Sequence, residues 1–376
     1  MSRPRLGNRT KLGLICALWT LLIAFLFGFE RRFGTMEDRS RDWLAINPIG
    51  RRSPENPALI FLGIDPANLS ELFSSDTEAS PTLQMMKEGF PWNREVYAHI
   101  LDRLVGAGAK AVVFDMMFPA PRPGDEAFQA ALDRYGDRVV LGSNLSGAEE
   151  LANTGRETVT NKPKHILASP TLLPPGPPTD QRLGFVNVRA DEDGIVRRAH
   201  YRSTLLGYFG IPPESGAEEL LSLAARGLEK AGHADLIPNS REAVQFRFSE
   251  EFRARSVHEI FVETQWNAPP YNGGELFRDK IVLIGAAGNV AEDRLQTPFG
   301  ARLGPSLHLS SMNAALNRDF LHATSTAANY GLIFGAGVLA WLCSISIQRP
   351  LGRFLLIGAV LLAYYGVVQV LFNAFG

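Results

Sequence analysis

The sequence predicts an α/β fold, with a mainly parallel central sheet flanked by helices and an additional antiparallel part, carried on three transmembrane helices. Three observations lead there. Long uncharged apolar runs stand near both ends of the 376-residue chain. Between them, short continuous apolar runs alternate with amphipathic stretches, the pattern of strand–helix–strand units. The two cysteines, Cys16 and Cys343, both fall in the apolar runs, so the stretch between has neither a disulfide framework nor a thiol metal site and must be held by its own core.

The first run, residues 12–29, carries no charge. At a helical rise per residue it reaches about 27 Å, close to the thickness of a hydrocarbon core. The bulky and charged Phe29-Glu30-Arg31-Arg32 lacks the small residues of a cleavage site, so the run reads as a retained anchor and not as a signal peptide. Residues 327–347 and 354–375 are two further uncharged runs joined by a short loop with Arg349 and Arg353, and they read as a helical hairpin in the bilayer. Arg3, Arg5, Arg9 and Lys11 before the first span, with the arginines of the hairpin loop, favour a cytoplasmic N-terminal tail (residues 1–11) and an extracytoplasmic domain over residues 35–322. Arg31 and Arg32 oppose that preference. An odd number of spans then puts the C-terminus outside. In the second span Gly331 and Gly335 stand four apart and allow close approach of another helix, from this chain, a second copy or a protein partner.

Inside the domain, residues 58–64 (ALIFLGI) read as a buried strand and residues 70–88 as a polar, exposed insertion. Residues 95–105 form an amphipathic helix, with Val96, Tyr97, Ile100, Leu101 and Leu104 on one face and Glu95, His99, Asp102 and Arg103 on the other. Gly106-Ala107-Gly108 ends it, and residues 110–118 (KAVVFDMMF) are the next strand. That order implies a parallel pair joined by a right-handed crossover. A helix over 125–135 and a strand over 138–142 repeat the pattern. After a proline-rich loop at 172–178, residues 183–188 and 194–202 read as a β-hairpin about the turn Asp191-Glu192-Asp193-Gly194. A helix over 216–230, a strand over 243–248, a buried strand over 280–285 (KIVLIG) and a helix over 303–316 complete the domain.

Ligands of open parallel sheets bind at the carboxyl ends of the strands, which makes the polar residues there the candidates for ligand contact. They are Asp65 after the first strand, Asp115 inside the second, Gly285 closing the last, and Asp293 beyond it. Trp92 and Arg94, in Pro91-Trp92-Asn93-Arg94, open the first helix, and Arg94 offers a partner for the Asp115 carboxylate. A purely structural reading stands beside this one: Asp65 capping its own turn, and Asp115 with Arg94 as a buried pair that fixes the crossover. The acidic turn at 191–194 starts like a calcium loop but lacks its later ligands, so it reads as a turn; a lone His308 reads as structural. Gly288 offers an anion-binding loop. There is no Walker motif, paired-histidine zinc site or nucleophile elbow, so no catalytic residue, metal or cofactor is expected. A net charge of −1 gives no reason to expect nucleic acid as a partner.

These residues resemble the CHASE2 family, an extracytoplasmic sensory domain of bacterial signalling proteins. The matches run in order: Gly63-Ile64-Asp65, Pro91-Trp92-x-Arg94, Val113-Phe114-Asp115, Gly184-Phe185-Val186-Asn187, Asp191-x-Asp193-Gly194 with Arg197, and Lys280–Gly285. Asp293 with Thr297-Pro298, and Gly304 with His308, complete the series. The resemblance implies an input module that perceives an unidentified stimulus, and it supports the outward orientation; the expectation is a sensor of the bacterial inner membrane, its domain in the periplasm, with an unknown small ligand and no enzymatic activity of its own. Such domains usually precede an enzyme output, with three helices between. Here two follow and the chain stops at Gly376, so the expectation is either a fragment of a longer signalling protein or signalling through a separate partner. A structural subunit of an envelope complex, and a hydrolase using the Asp cluster with a divalent ion, are the alternatives.

Overall fold

The computed structural model describes residues 7–29, 32–65, 80–147, 163–287, 294–322, 324–347 and 349–375. The chain divides into two compact units: Met1–Arg51 with Leu321–Gly376, and Arg52–Phe320.

The larger unit is built on a seven-stranded sheet. Its strands are β1 (Leu59–Ile64), β2 (Ala111–Met117), β3 (Val139–Ser146), β4 (Lys164–Ile166), β5 (Leu183–Phe185), β10 (Arg255–Ser256) and β11 (Ile281–Ala286). The order is β10-β1-β11-β2-β3-β4, with β5 also on β3, and every pair is parallel except β3 with β4. Strand alternation divides the core. Val112, Phe114, Val282 and Ile284 face α4 (Glu95–Gly106) and α5 (Asp125–Arg134), together with α3 (Pro81–Lys87). Ala111, Val113, Ile281 and Leu283 face α6 (Leu223–Lys230) and α7 (Gly304–Asn317). A sheet covered on both faces explains why its strands read as continuous apolar runs.

The helix at 95–105 and the strands at 58–64, 110–118 and 280–285 form as the pattern requires. In α4, Val96, Tyr97, Ile100, Leu101 and Leu104 are buried, and Gly108 with φ +90° turns the chain into β2. Elsewhere the local pattern misleads. Residues 183–202 do not form a hairpin: β5 joins the parallel sheet beside β3, and β6 (Arg198–Ala199) pairs antiparallel with β9 (Val244–Gln245). The helix expected over 216–230 starts at Leu223, after β8 (Leu220–Leu221) pairs with β7 (Arg202–Ser203). The antiparallel part also includes β12 (Arg294–Thr297) with β13 (Gly300–Leu303).

The smaller unit has four helices among the described residues: α1 (Asn8–Phe29), α2 (Arg32–Ile46), α8 (Thr326–Ser346) and α9 (Pro350–Phe375). Three stretches are long and apolar enough to span a membrane, Arg9–Gly28, Thr326–Ser346 and Leu351–Ala374. α1 and α8 are antiparallel neighbours: a Cβ at Gly13 would meet Trp341, and one at Gly28 would meet Tyr330. The close contact with α1 is made by Gly337, whose Cβ position is filled by Thr20; Gly331 and Gly335 have open space at theirs. The helix α2 lies within the range expected for the soluble domain, yet it groups with the spans. Trp43 of α2 packs at a tilt against Tyr365 of α9, their ring centres 4.8 Å apart.

The approach of α7 to the sheet requires a glycine at 285. A Cβ there would lie 2.6 Å from Pro305 Cγ and 3.3 Å from Asp115 Cβ. Gly285→Val is therefore expected to cost about 1–3 kcal/mol through overpacking, read as a lower melting temperature of the purified chain.

Candidate ligand site at the carboxyl edge of the sheet

On the α7 face the site starts from an irregularity in β2. Its register with β3 runs evenly to Phe114 and then jumps to Met117 opposite Gly142. The bulge falls on Asp115-Met116, and bulges of this kind re-aim side chains beside functional sites. Gly142 makes room for it: a Cβ there would be 2.8 Å from the Met116 carbonyl. Asp115 shares the face of Ala111 and Val113, and there it meets α7, where His308 Nε2 lies 3.6 Å from its Oδ1. His308 is buried and Asp115 is largely shielded. His308 also lines a cavity of about 20 Å³ with Asn187, Arg189, His200, Ser222 and Ser311.

The α4 face holds a second cluster. Arg94 is buried and its guanidinium lies 4.3 Å from the centre of the Phe118 ring. Its Nε is 3.5 Å from Asp125 Oδ1, within ion-pair reach but not hydrogen-bonded. Burial lowers the Arg94 pKa, and the Asp125 charge opposes that. Asp125 Oδ2 accepts hydrogen bonds from Thr171 Oγ1 at 2.5 Å and from the Arg122 amide at 3.1 Å. Trp92 packs edge-on against Phe90 and its buried Nε1 has no partner among the described residues.

The expected pair between Asp115 and Arg94 does not form. Strand alternation puts Asp115 on the α7 face, whereas Arg94 packs with the α4 side of the core, so each takes a different partner, His308 and Asp125 respectively. Asp65 lies close enough to His258 for its charge to raise that pKa, against the larger lowering by burial. Gly285 is paired with Asp115 in register and is filled around by Pro305, so its place in the structure is close packing. Asp293 and Gly288 lie outside the described residues. The expected turn at 191–194 is present, with Gly194 at φ +80° and its amide on the Asp191 carbonyl. It is clamped by the buried Arg197, whose guanidinium donates to Asp191 at 3.1 Å and to Asp193 at 2.8 and 2.9 Å. Sequence reasoning did not single out Asp125, Thr171, Arg189, His200 or His258. Asp125 carried one usable signal, an acid at the first turn of a helix that follows a glycine.

The comparison with family models matches the CHASE2 domain over residues 16–347, most of the chain. The chain belongs to the CHASE2 family. No match was found among curated proteins, and none among solved structures. The family is one of extracytoplasmic sensory domains, and with its apolar helices this member is a membrane protein.

The CHASE2 domain carries three histidines whose pKa values lie below the usual one. Burial is the main cause for His165, His200 and His258. Glu218 opposes it at His165; Arg189 reinforces it and Glu242 opposes it at His200; Glu259 and Asp65 oppose it at His258. With folded values below the ordinary 6.5, the unfolded chain takes up more protons as pH falls through that value. Above it the histidines are neutral in both states and contribute nothing to the pH dependence. The melting temperature is therefore expected to fall between about pH 7.5 and pH 5.5, and a His165→Gln, His200→Gln, His258→Gln variant should show a smaller fall.

Proposed function

We propose that this chain is a membrane-anchored sensor whose domain perceives a small ligand at the carboxyl edge of its sheet and passes the change through its spans to a separate partner protein. A bound ligand acts only by favouring one arrangement of the attached elements over another, so the reading requires bonded paths from the site to the chain's two exits from the domain. Helix α7 supplies the first. It holds His308 near its start, and its far end reaches the entry segment: the Asn56 amide donates to Asn313 Oδ1 at 2.7 Å, and Asn317 Nδ2 donates to the Pro54 carbonyl at 2.7 Å. The chain leaves α7 towards α8.

The observation that carries the reading is a polar joint in the smaller unit. Gln369 and Asn373 sit in the uncharged stretch of α9 that follows Arg353, and Gln369 is 2% exposed. A buried polar group in such a helix is costly unless bonded. Gln369 accepts from Asn47 Nδ2 at 2.7 Å and donates to the Leu44 carbonyl at 3.1 Å. Asn373 accepts from the Arg51 amide at 3.0 Å and donates to the Ile49 carbonyl at 2.7 Å. The last span is thus tied to residues 44–51, and the chain runs directly from Arg51 into the domain. On this reading the partner packs against α8 where Gly331 and Gly335 leave open space.

The test replaces both polar groups by Gln369→Leu with Asn373→Leu. Amide exchange at residues 44–51 is expected to rise about tenfold or more while the melting temperature of the domain holds. In native membranes, cross-linking from a cysteine placed at Gly331 should trap a discrete partner in the parent chain and lose it in the double variant. Cross-linking that yields the same partner in both would remove the joint from the signalling path and leave the structural-subunit reading.

A further inference from the structure

We infer that the cavity beside His308 binds the carboxylate group of a small organic acid, with Arg189 as its charged anchor. The inference rests on the reading of this edge as the ligand edge, but not on any signalling. It starts from what the cavity wall offers. His308 is 5% exposed, and its only polar contact among the described residues is the one with Asp115, at 3.6 Å and so longer than a hydrogen bond. The ring lines the cavity. His200 lines it too, half-buried, and among the described residues its nitrogens have no hydrogen-bond partner either. Its burial and the neighbouring Arg189 charge lower its pKa, so it meets the cavity as a neutral imidazole able to donate one hydrogen bond.

Arg189 stands exposed at the rim and donates one bond, at 3.3 Å, to the Tyr208 carbonyl. No carboxylate is bonded to it among the described residues. The other cation on the wall, Arg198, is already paired with Asp191 at 2.5 Å. Acceptors on the wall are largely occupied: the Asn187 amide oxygen takes the Leu145 amide at 2.6 Å, and the Ser222 hydroxyl takes the Ala225 amide at 3.2 Å as the cap of α6. Ser311 donates its own proton to the Leu307 carbonyl at 2.8 Å. Asp115, the acid beside His308, does not line the cavity, and Glu242 is the acid whose charge reaches His200. Among the described residues the wall therefore offers unused donors and one cation without a bonded carboxylate, and it includes the positive end of α6.

Size and shape select the ligand class. A cavity of about 20 Å³ holds one water or a group of that size. A carboxylate head fits, with the rest of a short acid directed past Arg189 to solvent, and the guanidinium fork matches two planar oxygens. A tetrahedral oxyanion is larger than this space.

The experiment titrates the purified full chain with sodium acetate or formate, against sodium chloride and sodium sulfate at equal ionic strength, and reads the melting temperature. A saturable rise with the carboxylates beyond that with chloride is expected. Arg189→Met should weaken the apparent affinity about tenfold or more, and Arg189→Lys, which keeps charge without the fork, should fall between. Saturation transfer from the parent chain to the acetate methyl protons, displaced by formate and not by chloride, gives a second reading that needs no variant. Equal effects of all four salts, an unchanged Arg189→Met, or transfer that chloride displaces would overturn the inference. Carboxylate binding with no change in amide exchange at residues 44–51 would count against the sensor reading and leave this site standing.

Discussion

The seat of α7 on the sheet depends on there being no side chain at Gly285. Pro305 fills that space, and the first turn of α7 is thereby pressed onto β11 next to β2. One turn further on, His308 comes within reach of Asp115, which the bulge in β2 presents on the same face. From there the helix is fully buried through Ala315 and unusually polar for a core element: Ser306, Ser310, Ser311 and Asn313 all lie inside. Ser310 and Ser311 return their protons to carbonyls four residues back, at 2.8 Å each, so they cost little to bury. Asn313 spends its amide on Ser53 and the Pro54 carbonyl. A single glycine thus sets the position of a helix that touches the candidate site at one end and the domain's entry segment at the other.

Buried arginines hold the rest of the edge in place, each in a different way. Arg197 is fully satisfied by two aspartates of its own turn, which makes that turn a rigid wall and not a cation site. Arg247 pairs with Asp319 at 3.0 Å and binds β9's neighbourhood to the end of α7. Arg94 is the exception: its contact with Asp125 is long, and it relies on the Phe118 face. Buried pairs contribute little net stability when compared with apolar replacements, but removing one partner leaves a charge without compensation. Their value here lies in fixing where the loops at the carboxyl edge can sit.

The central sheet was legible because its strands are buried on both faces and so read as uninterrupted apolar runs, as in residues 58–64 and 280–285. The helix α4 was legible for the opposite reason, its clean division into two faces. The short strands β6 to β9 were not, since two-residue pairings are settled by partners distant in sequence, such as Arg198 with Gln245. The same limit applied to the site. Local sequence placed Asp65, Arg94 and Asp115 near the carboxyl edge, but which of them meet depends on the face each side chain takes. A one-residue difference in strand parity sends Asp115 to His308 instead of Arg94. Arg189 and His200 carried no local signal, because the cavity they line is assembled from five separate stretches of chain.

The membrane-facing unit shows the same contrast between pattern and partner. Length and apolarity identify α1, α8 and α9 without reference to tertiary structure. They say nothing about α2, whose mixed polarity resembles that of a soluble helix. What assigns α2 to the spans is the pairing of Trp43 with Tyr365 and, just past the end of the helix, of Asn47 with Gln369. An isolated Gln in an apolar helix is easily read as a tolerated exception. Its near-complete burial, with both ends of the amide engaged, argues that it specifies the position of α9 relative to residues 44–51. In an apolar environment dispersion alone permits helices to slide past one another, whereas an amide with fixed donor and acceptor directions does not. The joint therefore converts an otherwise permissive contact into one with a defined register, and a defined register is what a domain must act on if a change within it is to alter the spans in a reproducible way.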